Sequence, residues 1–483
     1  MDLWQSVNVA TESVAREVGV LNSVASESFL DEVAVFSAAL ERPIGSAQVL
    51  AATLERIYNS FEEQDFFRYD VFREREKAPD TMFALFDLQM KLRERVGVWN
   101  KAGLMSREAQ KAARDCMRAT RYAIDILGEL WNGYEQLPDG GRTFRAFTGG
   151  NHNTLYNRSG ERDPDGTMAF RSGDVILTRG RLHNSAAIAR IGDIDSQFSH
   201  VAVVYIDARG RHWAVESVIE RGAIVEPLSE WLDHELGRAI LFRHKDANLA
   251  QRAATLIHDR VQQANSPWGK RILYDFTMTL DEATHNLYCS KLVRRAYREA
   301  SDGALLYPTF ATRLEMKNRD FVKRIGVKAT ETFAPGDLEL EPNFDIIAEW
   351  QDYRVTSNLR LKDIVMDKLF EWMEKDGYKF DETLKVRLIS LLGRMASYLS
   401  HDVKEMIDHV VPVVPINMKR SAIAAIAMLH ETAEPLFQEL RSLEQDRTKN
   451  SSLPLHPREV RQILERIRES RGSQIGYLKK RGG

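Results

Sequence analysis

Cysteine is scarce in this chain. Its 483 residues hold two, Cys116 and Cys289. That excludes a disulfide framework and a cysteine-rich zinc site, and it fits a reducing compartment. A thiol nucleophile stays open. Long hydrophobic runs are missing too. No stretch of about 18 apolar residues occurs, so a transmembrane helix is not expected. The most apolar segments, around His409–Met418 and Ala422–Leu429, are short and interrupted. The start, Met1-Asp2-Leu3-Trp4-Gln5, lacks the basic-then-apolar pattern of a secretory signal. The expected location is the cytoplasm of the producing cell. Neither sign of charge dominates: 67 Lys+Arg against 70 Asp+Glu leave a net charge of -3. That gives no ground for a nucleic-acid partner.

Several catalytic and binding signatures are also absent. Gly140-Gly141 and Gly149-Gly150 are not followed by a Lys-Ser/Thr pair, so no phosphate loop is expected. No Gly-x-Ser-x-Gly elbow, His-x-x-x-His pair or Cys-x-x-Cys pair occurs. No metal and no organic cofactor is expected.

What is present is globular material, 43% hydrophobic and 28% charged. The first 140 residues read as helix, with apolar residues near a 3.6 period at Val33-Phe36-Ala39-Leu40, Leu50-Leu54-Ile57-Tyr58-Phe61 and Met117-Tyr122-Ile126-Leu130. The turn cluster Leu137-Pro138-Asp139-Gly140-Gly141 ends that texture. Residues 141–170 read as polar loop. The period then becomes two, and short strands are expected at Asp174–Thr178, His200–Ile206, His212–Ser217, Ala223–Val225 and Arg238–Phe242. Helices follow at Ala247–Gln263 and from about Cys289. After Asp337 the chain reads as helix again, clearest at Ile364–Trp372, Leu384–Leu399, Ile423–Leu440 and Arg458–Arg468, ahead of a frayed basic tail. The expected organisation is a helical region over 1–140, an α+β module over 165–310 and a helical region over 338–483.

Cys289 carries the chemical interest. It lies in Asn286-Leu287-Tyr288-Cys289-Ser290-Lys291-Leu292-Val293, with Asn286 read as the N-cap. A cysteine in a first helical turn gains from unpaired N–H groups that favour a thiolate and can hold an oxyanion. A small core residue is the competing reading. Among twelve histidines, His200 has the most informative setting, because it opens the apolar strand His200-Val201-Ala202-Val203-Val204-Tyr205. The next strand brings Glu216. The turn Asp207-Ala208-Arg209-Gly210, with Gly210 left-handed, pairs Asp207 with Arg211 and sets Glu216 opposite Ala202. His200 and Glu216 then share one face, diagonally, at about 7–8 Å between backbones. That is the geometry of a base and the acid that orients it. A slip of one residue would destroy it. A solvated strand-end histidine and an edge glutamate are the other reading.

Taken in order, Gly173-Asp174-Val175-Ile176-Leu177, Ser199-His200-Val201-Ala202-Val203-Val204-Tyr205, Val215-Glu216-Ser217, Tyr274-Asp275-Phe276 and Tyr288-Cys289-Ser290-Lys291-Leu292-Val293 resemble the circularly permuted NlpC-type papain-like cysteine hydrolases. This is the YiiX/YebB-like group, related to lecithin retinol acyltransferase. The resemblance covers about a third of the chain. It implies a permuted papain-like module, an antiparallel sheet plus a cysteine-bearing helix; the all-α flanks lie outside the resemblance. It further implies Cys289 as nucleophile, His200 as general base, Glu216 as orienting acid, and Tyr274, Asp275 and Tyr288 as substrate-cleft residues. Tyr274-Asp275-Phe276 also fits simple loop packing around a capped turn. The chain departs from the family in having Lys291 where an acid is common, and in a long, partly helical insert between Gly180 and Ser199.

The chemistry expected from this is acyl transfer through a thioester. The substrate is a peptide amide, such as cell-wall peptide, or an acyl lipid. Ile188, Ile191, Phe198, Trp213 and Trp231 supply apolar material for a lipid cleft, and the basic residues from Arg461 to Arg481 supply contact with a membrane surface. The helical flanks fit a secretion or immunity partner, as in an antibacterial effector delivered by a type VI-like apparatus, or a phage virion protein. A non-enzymatic helical interaction protein on a papain-like scaffold is the alternative.

Overall fold

Four helices open the described chain: α1 (Phe29–Glu41), α2 (Ala47–Glu63), α3 (Val71–Lys101) and α4 (Arg107–Trp131). The structure is a computed structural model that describes residues 28–63, 71–138, 140–163, 168–314, 319–383, 386–387, 414–451 and 453–480. Ser28 and Ser106 cap α1 and α4, accepting from the N–H of Asp31 and Ala109 at 3.3 Å each. The apolar stripes of the four helices meet in one cluster, in which Val33, Leu54, Leu85 and Ile124 are buried.

A seven-stranded sheet forms the centre. Its strands are β1 (Asn153–Asn157), β2 (Val175–Gly180), β3 (His200–Ile206), β4 (His212–Val218), β5 (Gly222–Pro227), β6 (Leu236–His244) and β7 (Phe344–Asp352). The spatial order is β1-β7-β6-β2-β3-β4-β5, and every neighbouring pair is antiparallel. The short helix α5 (His183–Ile188) lies in the connection from β2 to β3. Helices α6 (Ala247–Asn265) and α7 (Cys289–Ala300) cover one face, where Leu177, Val201, Val203 and Val215 pack with Leu292 and Ala296. The alternate residues Ile176, Ala202, Val204 and Ala214 pack on the other face with Trp231 and Trp350. Both sets are buried because successive side chains of a strand point to opposite faces. Gly173, which leads into β2, has φ +87° and lies against the Ala250 backbone, so a Cβ would clash there.

Within the central sheet, two strands depart from the sequence reading. The segment 141–170 reads as loop, yet Asn153–Asn157 forms β1. The segment after Asp337 reads as helix, yet Phe344–Asp352 forms β7 between β1 and β6. Phe344, Ile346, Ala348 and Trp350 repeat at period two, a strand signal that the helical texture on its C-terminal side obscured. The sheet also demands β7, since without it β6 would be a long apolar edge.

Helix α8 (Tyr353–Lys375) starts where β7 ends, with Asp352 accepting from the Arg354 N–H at 3.1 Å. It packs with α9 (Arg420–Ser451) and α10 (Pro457–Arg471) around Leu369, Trp372, Leu436 and Leu464. Most of the helix read at Leu384–Leu399 lies outside the described residues. The tail read as frayed holds a strand, Leu478–Lys480, paired with Tyr378–Phe380 and Gln474–Ile475. Residues 481–483 lie outside the description. Among the described residues, no helix is long and apolar enough to cross a membrane.

Buried ion pairs bind these layers together. Arg121 of α4 meets Glu339 and, at 3.1 Å, Glu349 of β7, with all three side chains at most 3% exposed. Arg238 of β6 meets Asp125 of α4, and Arg360 of α8 meets Glu129 of α4 at 2.8 Å and Glu444 of α9 at 3.3 Å. A buried charge is tolerated only when paired. Arg121→Ala would strand Glu339 and Glu349 in the interior. We expect it to cost about 3–5 kcal/mol in denaturant unfolding, the usual range for a broken buried pair.

Candidate active site

The β3–β4 hairpin sets the first two groups. Gly210 has φ +75°, and the Asp207 N–H donates to the Arg211 carbonyl at 3.0 Å. Ala202 pairs with Glu216, the register read from the turn. His200 Nε2 lies 2.5 Å from Glu216 Oε2, and the Trp231 indole donates to the same oxygen at 2.8 Å. Glu216 is buried at 1% exposure, whereas His200 stays partly exposed at the start of its strand.

Helix α7 sets the third. Cys289 is its first residue, so the Cys289 N–H has no partner within the helix. The cap is Tyr288, without a side-chain bond, and not Asn286. The Asn286 side chain instead accepts from the Leu273 N–H at 3.2 Å. Leu287 is held outside the helix by backbone bonds to Leu273 and Asp275 and by the Ser217 hydroxyl, which donates to its carbonyl at 2.6 Å. The helix therefore cannot begin before Tyr288, and Cys289 lands at its mouth.

The Cys289 sulfur is close enough to His200 to stabilise its imidazolium. Since Nε2 serves Glu216, Nδ1 is the ring nitrogen left for sulfur. Burial alone would drive the imidazolium down, but Glu216 and Cys289 together outweigh it and raise His200 to about 10. Burial alone would likewise raise Glu216. His200, then Trp231 and Glu226, hold it down at about 2. The arrangement can keep a proton on imidazole beside a sulfur nucleophile. Cys116 contrasts with it: burial, then Asp115, pushes its thiol far above the ordinary range, and it donates to the Leu54 carbonyl at 3.1 Å.

Tyr274, Asp275 and Tyr288 diverge in the structure. The Asp275 carboxylate is engaged by Lys291 at 2.9 Å and by Thr277 at 2.5 Å. Lys291 is fully buried, so its pair with Asp275 lies in the interior. The Tyr288 hydroxyl bonds Thr332 at 2.9 Å in the interior. Tyr274 faces Cys289 electrostatically and lines an apolar cavity of about 240 Å³. Ile188, Ile191, Ile219 and Phe276 form more of its wall, and Ile426 and Leu429 of α9 close it. Of the residues read as lipid-cleft material, Ile188 and Ile191 line this cavity. Phe198 packs under Arg121, Trp231 serves Glu216, and Trp213 donates to Asp207 at the hairpin.

Residues 169–348 match the family model described as permuted papain-like amidase enzyme, YaeF/YiiX, C92 family. That stretch is a circularly permuted papain-like module. No curated protein and no solved structure matches the chain. The module is that of a hydrolase, and the match runs as far as Ala348, into the first half of β7, the strand that the sequence reading assigned to helix.

Glu226 escaped the sequence reading altogether. It sits on β5 opposite Ala214, diagonal to Glu216. Each carboxyl group has a buried oxygen, Oε1, without a hydrogen-bond partner, and the two groups interact, which favours a proton on one of them. Burial and then Glu216 push Glu226 up to about 7, against the pull of Arg221. Period-two alternation could have placed it on the face of Glu216, but a lone glutamate near a strand end gives no sign of holding a proton.

Two outcomes are expected here. Iodoacetamide near pH 7 should alkylate Cys289 and spare Cys116, and His200→Ala should slow alkylation at least about tenfold, read by peptide mass spectrometry. The folded state keeps the Glu226 proton up to about pH 7, while the unfolded chain releases it near 4.5. Stability from this group is therefore full at low pH and is lost as pH rises through that window. Melting curves from pH 5 to 8 should show Glu226→Gln gaining a few degrees on the parent protein as pH rises.

Proposed function

We propose that the protein is a cysteine acyl hydrolase with a Cys289-His200-Glu216 triad, acting on a carbonyl whose acyl part is apolar. The reading is carried by one observation: a buried Glu216–His200 pair acts on Cys289, the first residue of α7, and Tyr274, which interacts with that thiol, lines an apolar cavity. The Cys289 sulfur attacks the carbonyl carbon, and His200 keeps the thiol proton. The Cys289 N–H, unpaired at the head of α7, donates to the oxyanion. His200 then passes its proton to the leaving oxygen or nitrogen as the thioester forms. A water attacks that thioester, His200 takes its proton, and carboxylic acid and free thiol result. Glu216 and Trp231 hold the ring throughout. Tyr274 lines the cavity and interacts with the thiol, so the acyl chain would run along it towards Ile188 and Leu429. A packed cavity would serve a bare peptide poorly, which favours acyl lipid, or an acylated amine, over unmodified cell-wall peptide.

The test compares p-nitrophenyl acetate and octanoate, then liposomes and purified peptidoglycan, with products read by mass spectrometry. Cys289→Ala and His200→Ala should lower turnover by about three orders of magnitude. Ala187→Phe, which fills the cavity, should cut octanoate turnover at least about tenfold and leave acetate within about twofold. Full activity in both triad variants would refute the reading. Equal effects of Ala187→Phe on both esters would refute the acyl pocket.

A further inference from the structure

We propose a divalent-metal site, best suited to zinc, at His183, His430 and Glu434, on the seam between the papain-like module and the C-terminal helices. The motif survey gave no reason to expect one, because the three residues come from segments about 250 positions apart. His183 opens α5 in the insert between β2 and β3, while His430 and Glu434 lie on α9. A spacing of four residues puts the latter two on one helical face, one turn apart. One ligand atom from each of the three residues falls within 4.8 Å of the others.

The donor set has the composition of a zinc site, two imidazoles and one carboxylate. His183 Nε2 is 2.8 Å from Glu434 Oε2, and the His183 and His430 rings are 5.5 Å apart between centroids. Tetrahedral ligands at about 2.0–2.1 Å from zinc stand roughly 3.3 Å apart, so the His183–Glu434 pair would open by about half an ångström to admit an ion.

A second observation points the same way. The His183 side chain is 2% exposed, and its Nδ1 has no hydrogen-bond partner. A buried imidazole normally satisfies both nitrogens. Here Nε2 faces Glu434 and Nδ1 has no partner, so no second hydrogen bond fixes the tautomer and the ring can carry its proton on Nδ1 and present the Nε2 lone pair to a cation. The carboxylate is already oriented: Gln438 donates to Glu434 Oε1 at 2.6 Å, the outer support that metal-binding carboxylates commonly have.

The neighbouring cation is occupied elsewhere. Lys362 donates to the Arg181 carbonyl at 2.8 Å and lies over the Phe437 ring at 4.6 Å. The ion would tie α9 to α5 at the rim of the apolar cavity, which His183 and His430 both line. The fourth position is open to water. The site lies apart from Cys289 and does not depend on the triad reading.

The experiment dialyses the full chain against chelator and titrates it with zinc chloride in competition with a chromophoric chelator. A cobalt(II) titration provides an absorption spectrum of the coordination. The expected result is one zinc per chain and tetrahedral cobalt bands. Either His430→Ala or Glu434→Gln should weaken binding at least about tenfold and abolish the bands. His430 is exposed, so its variant should fold, and a melting curve checks that. Cys289→Ala should bind as the parent protein does. Failure to bind one equivalent, or binding unchanged in both cluster variants, would overturn the proposal. Loss of zinc in Cys289→Ala would overturn it too, because the ion would then sit on the thiol.

Discussion

Everything at the candidate site depends on the register of the β3–β4 hairpin. Gly210 in the left-handed region closes the turn so that Ala202 faces Glu216. In that register Glu216 and His200 fall on one face, and Ile176, Ala202 and Ala214 fall beside them against Trp231. A shift of one residue would exchange the two faces of the strand. It would bury His200 in the opposite core and carry Glu216 away from it. The apolar residues and the ionisable pair therefore enforce the same pairing.

Glu216 is then a charge in a dry setting, and the residues around it are explained by that cost. His200 and Trp231 bond one of its oxygens, and Glu226, which burial and Glu216 push up to about 7, lies diagonally across on β5. This environment turns a strand-end histidine into a strong proton holder next to sulfur. Helix α7 completes the arrangement because Leu287 is pinned by Leu273, Asp275 and Ser217, so the helix starts at the cysteine.

The helical flanks are structural parts of the same body. Arg121, Arg238 and Arg360 carry paired charge across α4, β6, β7, α8 and α9, with no water-exposed route for any of them. Helix α9 supplies cavity wall, and Asn417, just before it, donates to the Tyr274 carbonyl at 2.7 Å. The C-terminal region thus shapes the surroundings of the thiol without adding a group to the triad.

By itself the sequence determined the local elements: α6, the strand that opens at His200, the hairpin turn, and the placing of a cysteine in a first helical turn. Those follow from period, turn chemistry and caps, which are properties of neighbours along the chain. It also held Cys289, His200 and Glu216 in an order that resembled a known family. The tertiary structure decided the rest. Strand β7 was legible only weakly, since its alternation is one short stretch beside long helices, and its place beside β6 is a matter of sheet closure. Glu226 beside Glu216, the Lys291–Asp275 pair, the cavity closed by α9 and the cluster of His183 with His430 and Glu434 each bring together residues from different elements. Their meaning comes from burial, which strips water from charged and polar groups and forces them to find one another, and no local pattern records that.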